Sequence, residues 1–295
     1  MLAHAAFPAE IAVASIDHGL RSESAQEVAL VERVCDALDI PFTAITIRVA
    51  SGNLQAKARE ARYAALVKWA RDSQLGAIAT AHHADDQAET LLMRLARGSG
   101  LSGLAGVRAA ALLEDGETEK ATLLLRPLLD WRKEQLEDVV AQAGITPVRD
   151  PSNANIAFDR VRVRQQLAEH ADWLPADALA SSAEHLAEAW RAIEWYAEID
   201  WEEMVERDDD AQGPAFKYGA NVPRVIAIET ICRIIGELGG IATRSEAGRA
   251  FDRLWRGENA SLSGVLIVPG IERVEKIGVD LRVWRFAPEP PRAVH

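Results

Sequence analysis

The sequence is short of several things, and each shortage excludes a class of protein. It has two cysteines, Cys35 and Cys232, in 295 residues. They are too few for a disulfide scaffold and too far apart for a zinc knuckle, so a reducing cytosol is the expected compartment. No apolar run approaches the roughly 18 residues a membrane span needs, so no membrane partner is expected. Met1-Leu2-Ala3-His4 lacks the basic segment and apolar core of a secretion signal. No internal repeat is visible, which argues against a solenoid. No Gly-Lys-Ser/Thr occurs, so there is no Walker loop.

A surplus of positive charge is also missing. Lys plus Arg is 33 and Asp plus Glu is 45, a net charge of −12. The acid is concentrated, however. Asp172 to Asp210 holds thirteen acidic and two basic residues, a net of −11 that leaves the rest of the chain near neutral. The global charge therefore says little against a polyanionic partner. The hydrophobic fraction of 48% is enough for a true core. The length suggests about two domains.

What is present alternates strand and helix. Ile11–Ile16, Phe42–Ile47 and Ala77–Ala81 read as buried strands. Ser24–Leu38, Leu54–Arg71 and Asp85–Arg97 read as helices, the last stopped by Gly98. That order predicts an α/β fold with parallel strands and right-handed crossovers. Such sheets bind ligands beyond the carboxyl ends of their strands, which singles out the loops Asp17-His18-Gly19 and His82-His83. A boundary is expected within Pro147–Asp172, giving a first domain over residues 1–165 and a smaller one over 166–295. The second reads as mostly helical. Leu179 to Met204 forms one amphipathic helix with an acidic outer face. Asn221-Val222-Pro223 opens another helix, and Thr243–Arg256 is a third. Gly264–Val268, Arg273–Lys276 and Leu281–Phe286 read as short strands with Pro-Gly and Gly-Val turns. Pro288–His295 is expected to fray.

The densest chemistry lies in Thr80-Ala81-His82-His83-Ala84-Asp85-Asp86-Gln87-Ala88-Glu89-Thr90. Two imidazoles sit at a strand end, two carboxylates open the next helix, and Glu89 follows Asp85 by one turn on the same face. Carboxylates at a helix start also serve simply as caps, the bland reading of Asp85 and Asp86. As oxygen ligands, Asp85, Asp86 and Glu89 suit Mg²⁺, with His82 and His83 free for a nucleotide or a softer metal. A metal-dependent phosphohydrolase fits this segment equally well. Arg97-Gly-Ser-Gly-Leu-Ser-Gly-Leu-Ala-Gly106 is either a phosphate cradle or a connector. Lys57, Arg59, Arg62, Lys68 and Arg71 decorate one helix, a pattern that a solvated face also produces. Arg160-Val-Arg-Val-Arg164 is shaped to grip phosphates from a strand or a helix start. Asp150-Pro-Ser-Asn153 before it reads as a turn.

Taken in order and spacing, Asp17-His18-Gly19-Leu20-Arg21, Ala58-Arg59-Glu-Ala-Arg62-Tyr63, Thr80–Thr90, Arg97–Leu104, Leu125-Arg126-Pro127-Leu128-Leu129 and Asp150–Asn153 resemble the tRNA(Ile)-lysidine synthetase family. That family belongs to the N-type ATP pyrophosphatases, or PP-loop ATPases, whose domain is adenine nucleotide alpha hydrolase-like. The resemblance covers about residues 11–167. It implies adenylation of C2 of the wobble cytidine in tRNA(Ile) with a CAU anticodon, then attack by the amine of L-lysine to give lysidine. It implies ATP and Mg²⁺ as cofactors and allows a homodimer. By resemblance, Asp85, Asp86 and Arg126 are the catalytic candidates, and Asp17, His18, His82 and His83 line the nucleotide cleft. Asp85, Asp86 and Glu89 would hold the metal. Arg59, Arg62, Arg160, Arg162 and Arg164 would meet tRNA.

The family's Ser-Gly-Gly-x-Asp-Ser loop is absent from this sequence, and Leu2–Phe7 reads as the tail of the helix that follows it. The expectation is an N-terminally truncated PP-loop domain that, as given, does not bind ATP competently, because that loop supplies backbone N–H groups to pyrophosphate. The sheet should then start near Ile11 and show a gap where a central strand belongs. Val161 is a smaller departure, standing where a polar residue is more usual. A non-catalytic tRNA-binding fragment is the remaining alternative.

Overall fold

The structure is a computed structural model that describes residues 1–8, 10–17, 24–47, 54–113, 121–148, 155, 158–209, 213–274 and 279–289. His18 to Arg21, Asp150–Asn153 and the tail beyond Glu289 lie outside the described residues. The chain divides into two compact units, Met1–Leu186 and Ala187–His295. The division falls inside one helix of 29 residues, later than the interdomain stretch the sequence suggests.

The first unit runs α1 (Leu2–Ala6), β1 (Val13–Asp17), α2 (Ser24–Ala37), β2 (Phe42–Thr46), α3 (Leu54–Asp72), β3 (Ala77–Ala79), α4 (Ala84–Ala96) and α5 (Leu101–Leu104). It continues through β4 (Ala110–Leu113), β5 (Thr122–Leu125), α6 (Lys133–Gln142) and α7 (Asp159–Glu169) into α8 (Ala176–Met204). β1 pairs with β2 in parallel, Val13 opposite Phe42 and Asp17 opposite Thr46. β3 pairs with β5 in parallel, and β4 joins β5 antiparallel. Among the described residues no ladder joins these two sheets. Among the described residues, β1 and β2 form one sheet and β3, β5 and β4 another. The two pieces still share one core. Ala14 and Ile16 of β1 pack against a cluster of Leu66, Val67, Ala70, Ile78 and Leu124. Burying each of the large aliphatics contributes about 1.5–3 kcal/mol.

The second unit takes the rest of α8, then β6 (Val205–Arg207), β7 (Phe216–Gly219), α9 (Arg224–Glu237), α10 (Arg244–Trp255), β8 (Ala260–Leu262), β9 (Val265–Val274) and β10 (Val279–Pro288). Its five strands form one antiparallel sheet in the order β6-β7-β10-β9-β8. Alternation supplies the inner face: Phe216 and Tyr218 from β7, Trp284 and Phe286 from β10. Ile231, Ile234 and Ile235 of α9 and Phe251 and Leu254 of α10 cover them.

This unit is less helical than the sequence suggests. Val265–Val268 and Arg273–Val274, expected in separate short strands, belong to a single ten-residue strand that runs straight through Pro269-Gly270, while Glu275 and Lys276 lie outside the described residues. Proline is tolerated there because β8 pairs only with Val265–Ile267, so at Pro269 the outer edge of β9 needs no donor. The helix expected from Thr243 starts one residue later. Thr243 caps it, accepting from the N–H of Glu246, whose carboxylate reaches back to the N–H of Thr243 at 2.8 Å. Among the described residues no helix is long and apolar enough to cross a membrane.

Candidate active site

β3 and β5 run side by side, and their carboxyl ends open together. The N–H of Thr80, just past β3, donates to the carbonyl of Leu125 at 2.9 Å. From there the chain makes one short extended segment, Ala81-His82-His83, before α4 begins at Ala84. The N–H of His83, the N-cap, donates to Oδ2 of Asp86 at 3.1 Å, which fixes the angle at which the helix leaves the sheet. Asp85 and Asp86 lie in the first turn, where the helix dipole favours negative charge.

The three carboxylates are each held by donors, with the His83 ring between Asp85 and Asp86 at 3.6 and 3.5 Å. Oδ1 of Asp85 lies 3.1 Å from Nη2 of Arg132, and its Oδ2 accepts from the N–H of Lys133 at 2.7 Å. Burial pushes the Asp85 carboxyl up, but these donors outweigh it and hold its pKa below the usual aspartate value. Glu89 is 1% exposed and receives two arginines from α7: Nε of Arg160 at 2.5 Å and Nε of Arg164 at 2.6 Å. Nη2 of Arg160 also reaches Oδ1 of Asp86 at 2.5 Å. Three carboxylates are thus matched by three guanidinium groups. Among the described residues no group of His, Cys, Asp and Glu is arranged to hold a metal ion. The expectation that Asp85, Asp86 and Glu89 hold Mg²⁺ does not fit this geometry. Their oxygens are already occupied by N–H donors and cations, which repel a dication. The same pairing turns Arg160 and Arg164 toward α4. Arg162 pairs with Asp159, and Arg97 joins that carboxylate from the end of α4 at 3.2 Å.

Around His82 the balance is different. Its Nδ1 lies 2.9 Å from the Thr80 hydroxyl. Burial first, then the positive charges of Arg126, Arg59 and Arg62, lower its pKa to about 4 against the opposing pull of Asp86. His82 is therefore neutral at physiological pH. Arg126 follows β5 directly. Its N–H donates to the carbonyl of Ala109 at 2.8 Å and its Nη1 to the carbonyl of Arg108 at 2.5 Å. The side chain is 7% exposed, and its Nε is buried with no hydrogen-bond partner. Such an orphaned donor on a buried cation is costly unless a ligand completes it. Arg59 and Arg62 lie over the Tyr63 ring at 5.1 and 5.3 Å. Among the described residues none of these three arginines forms an ion pair with a carboxylate. Asp17 closes β1, its carbonyl accepting from Ile47 at 2.9 Å, while His18 lies outside the described residues.

The glycine-rich segment is a docked turn. Gln87 on α4 holds it by a two-point bond with Val107, both distances 2.7 Å. Arg94 donates to the carbonyls of Gly103 and Gly106. Gly106 has φ +68°, and a Cβ there would come 2.5 Å from Oε1 of Gln87. Only glycine satisfies both constraints. Gln87 lies within the Thr80–Thr90 segment but is not singled out there, and no motif in the sequence marks Arg94 or Arg132.

Residues 2–171 match the model of the PP-loop domain family. The tRNA(Ile)-lysidine synthase of Novosphingobium aromaticivorans is 43% identical over 286 residues, covering 96% of this chain and 82% of that one. That of Zymomonas mobilis is 36% identical over 290 residues, covering 97% and 82%. That of Ruegeria pomeroyi is 38% identical over 265 residues, covering 88% and 62%.

Proposed function

Because the chain belongs to the PP-loop family, together with the tRNA(Ile)-lysidine synthases, we propose that it is an ATP-dependent ligase. On this reading it joins L-lysine to C2 of the wobble cytidine in tRNA(Ile) with a CAU anticodon. The observation that carries the reading is the cationic set of Arg59, Arg62 and Arg126 around a neutral His82, at the carboxyl ends of β3 and β5. Adenylation builds charge on phosphate oxygens, and AMP leaves as an anion in the second step. Fixed cations that spend no charge on protein carboxylates stabilise both steps.

Arg126 donates its orphaned Nε–H to a phosphate or to the oxygen that becomes the leaving group. In the tautomer whose Nδ1 accepts from the Thr80 hydroxyl, His82 presents an Nε2–H to the nucleotide. Asp85, held below the usual aspartate range by Arg132 and the N–H of Lys133, and Asp86, paired with Arg160, border this set with their charge already matched. Mg²⁺ is given no residue here, since the carboxylates expected to hold it are matched by arginines. That matching also removes the main support for a metal-dependent phosphohydrolase.

The test is incorporation of labelled L-lysine into a CAU-bearing tRNA(Ile) transcript, alongside retention of the transcript on the protein. Expected are retention and strictly ATP-dependent incorporation. Arg126→Ala should lower incorporation by about a hundredfold. Retention without incorporation at any ATP concentration would select the non-catalytic RNA-binding reading. Loss of both, with ATP-independent phosphoester cleavage, would select the hydrolase.

A further inference from the structure

The second unit holds four arginines whose guanidinium groups lie over aromatic rings, and three of them are neutralised in place. Arg224 lies over Phe251 at 5.6 Å and meets Asp252 at 2.9 Å. Arg233 lies over Trp201 at 4.1 Å and meets Glu198 at 2.7 Å. Arg244 lies over Trp190 at 4.8 Å and meets Glu229 at 2.5 Å. Arg282 is the exception. It lies nearest its ring, 3.8 Å from the centroid of Trp255, and among the described residues no carboxylate pairs with it.

The placement of Arg282 is built. Asn221 clasps its backbone with two bonds of 3.1 Å, and the N–H of Ala220 donates to its carbonyl at 2.9 Å. Beneath it Trp255 stacks on Phe251, centroids 5.3 Å apart and planes 17° from parallel. Arg224 lies over Phe251 in turn and donates to the carbonyl of Gly248 at 3.1 Å. At Gly248 a Cβ would come 2.9 Å from that guanidinium, so the residue must be small. The ladder Arg224–Phe251–Trp255–Arg282 is locked at its inner end. Its outer end is exposed, with Trp255 44% accessible. Nearby on α10, Arg253 and Arg256 share the single carboxylate of Glu258, which leaves one positive charge over.

An apolar ligand would not need the charge, and a simple anion would not need the aromatic ladder. A nucleotide uses both, its base against the guanidinium plane and its phosphate against the charge. We propose that Arg282 on Trp255 is a platform for an unpaired nucleotide of RNA. This rests on the tRNA-substrate reading above and adds a contact outside the PP-loop domain.

The experiment uses the whole chain with a labelled single-stranded oligoadenylate and an RNA duplex of equal length. Arg282→Ala should bind the single strand about tenfold more weakly and the duplex almost as before. Arg282→Lys, which keeps the charge but loses the plane, should restore the salt-dependent part of single-strand binding and leave it weaker than wild type. Both side-chain changes are at an exposed position, and unchanged thermal melts check the fold. Equal losses on single strand and duplex, or no loss on either, would overturn the platform. If Arg282→Ala binds the single strand normally while wild type still incorporates lysine, the platform fails and the substrate reading stands. If wild type retains neither tRNA nor oligonucleotide, the substrate reading fails first.

Discussion

His82 shows how one residue reports on its surroundings. Burial and three nearby arginines depress its pKa from 6.5 to about 4. An unfolded chain would bind the proton near 6.5, so between pH 6.5 and 4 the unfolded state holds more protons than the folded one. The stability that neutral His82 contributes is whole above about pH 6.5 and is eroded as pH falls toward 4. His82→Gln, which cannot titrate, should flatten that part of the profile. Urea unfolding midpoints at a series of pH values measure it, and equal slopes for the two proteins would mean that neither burial nor the arginines depress the ring's pKa. The same cationic field gives a second sign. A bound phosphate partly cancels the arginines, so the His82 resonance should titrate at higher pH when inorganic phosphate or AMP is present.

At the scale of elements, α4 and α7 are joined by charge. Glu89 is 1% exposed, and α7 delivers both of its cations. Breaking a fully buried pair costs about 3–5 kcal/mol. Arg160 and Arg164 keep 44% and 38% of their side chains in solvent, so part of their charge would be rehydrated. Glu89→Gln should therefore cost about 2–3 kcal/mol, read as a lower urea midpoint at unchanged slope. A loss below about 0.5 kcal/mol would place it with ordinary surface changes and show that α7 is held by its apolar contacts alone. This clamp also marks how far sequence could be read. Thr80–Thr90 stood out by its density of histidine and carboxylate, but the partners of those carboxylates lie 47, 71 and 75 residues away. Only the folded chain reveals that the acids are already matched. Strands β1 to β3 were legible as apolar runs between turn residues. β4, Ala-Ala-Leu-Leu, and β5, Thr-Leu-Leu-Leu, are four residues each, with neither alternation nor β-branched enrichment to declare them. Pro269-Gly270 misleads in the opposite direction, since a dipeptide that usually turns the chain sits in a strand whose edge asks for no donor there.

On the proposed reading, the question for the whole molecule is how a chain of net charge −12 would hold a polyanion. The acid of residues 172–210 repels RNA over a range of about 8–10 Å at physiological salt, so binding depends on local cations that protein carboxylates have not already claimed. Arg59 and Arg62 are such cations in the PP-loop domain, both resting on Tyr63. If both meet phosphates, replacing them together with alanine should reduce the slope of log K against log salt for tRNA by about 1.4–1.8. If their role is to pack Tyr63 over the core, the substitution should lower thermal stability and leave the slope alone. Filter retention of a tRNA(Ile) transcript over a range of potassium chloride concentrations, beside melts of both proteins, separates the two. A control at Arg273, which is already paired with Asp280 at 3.3 Å, should move neither quantity. An unchanged slope in the double variant would remove Arg59 and Arg62 from the RNA surface and leave Arg126 as the PP-loop domain's cation for the phosphates.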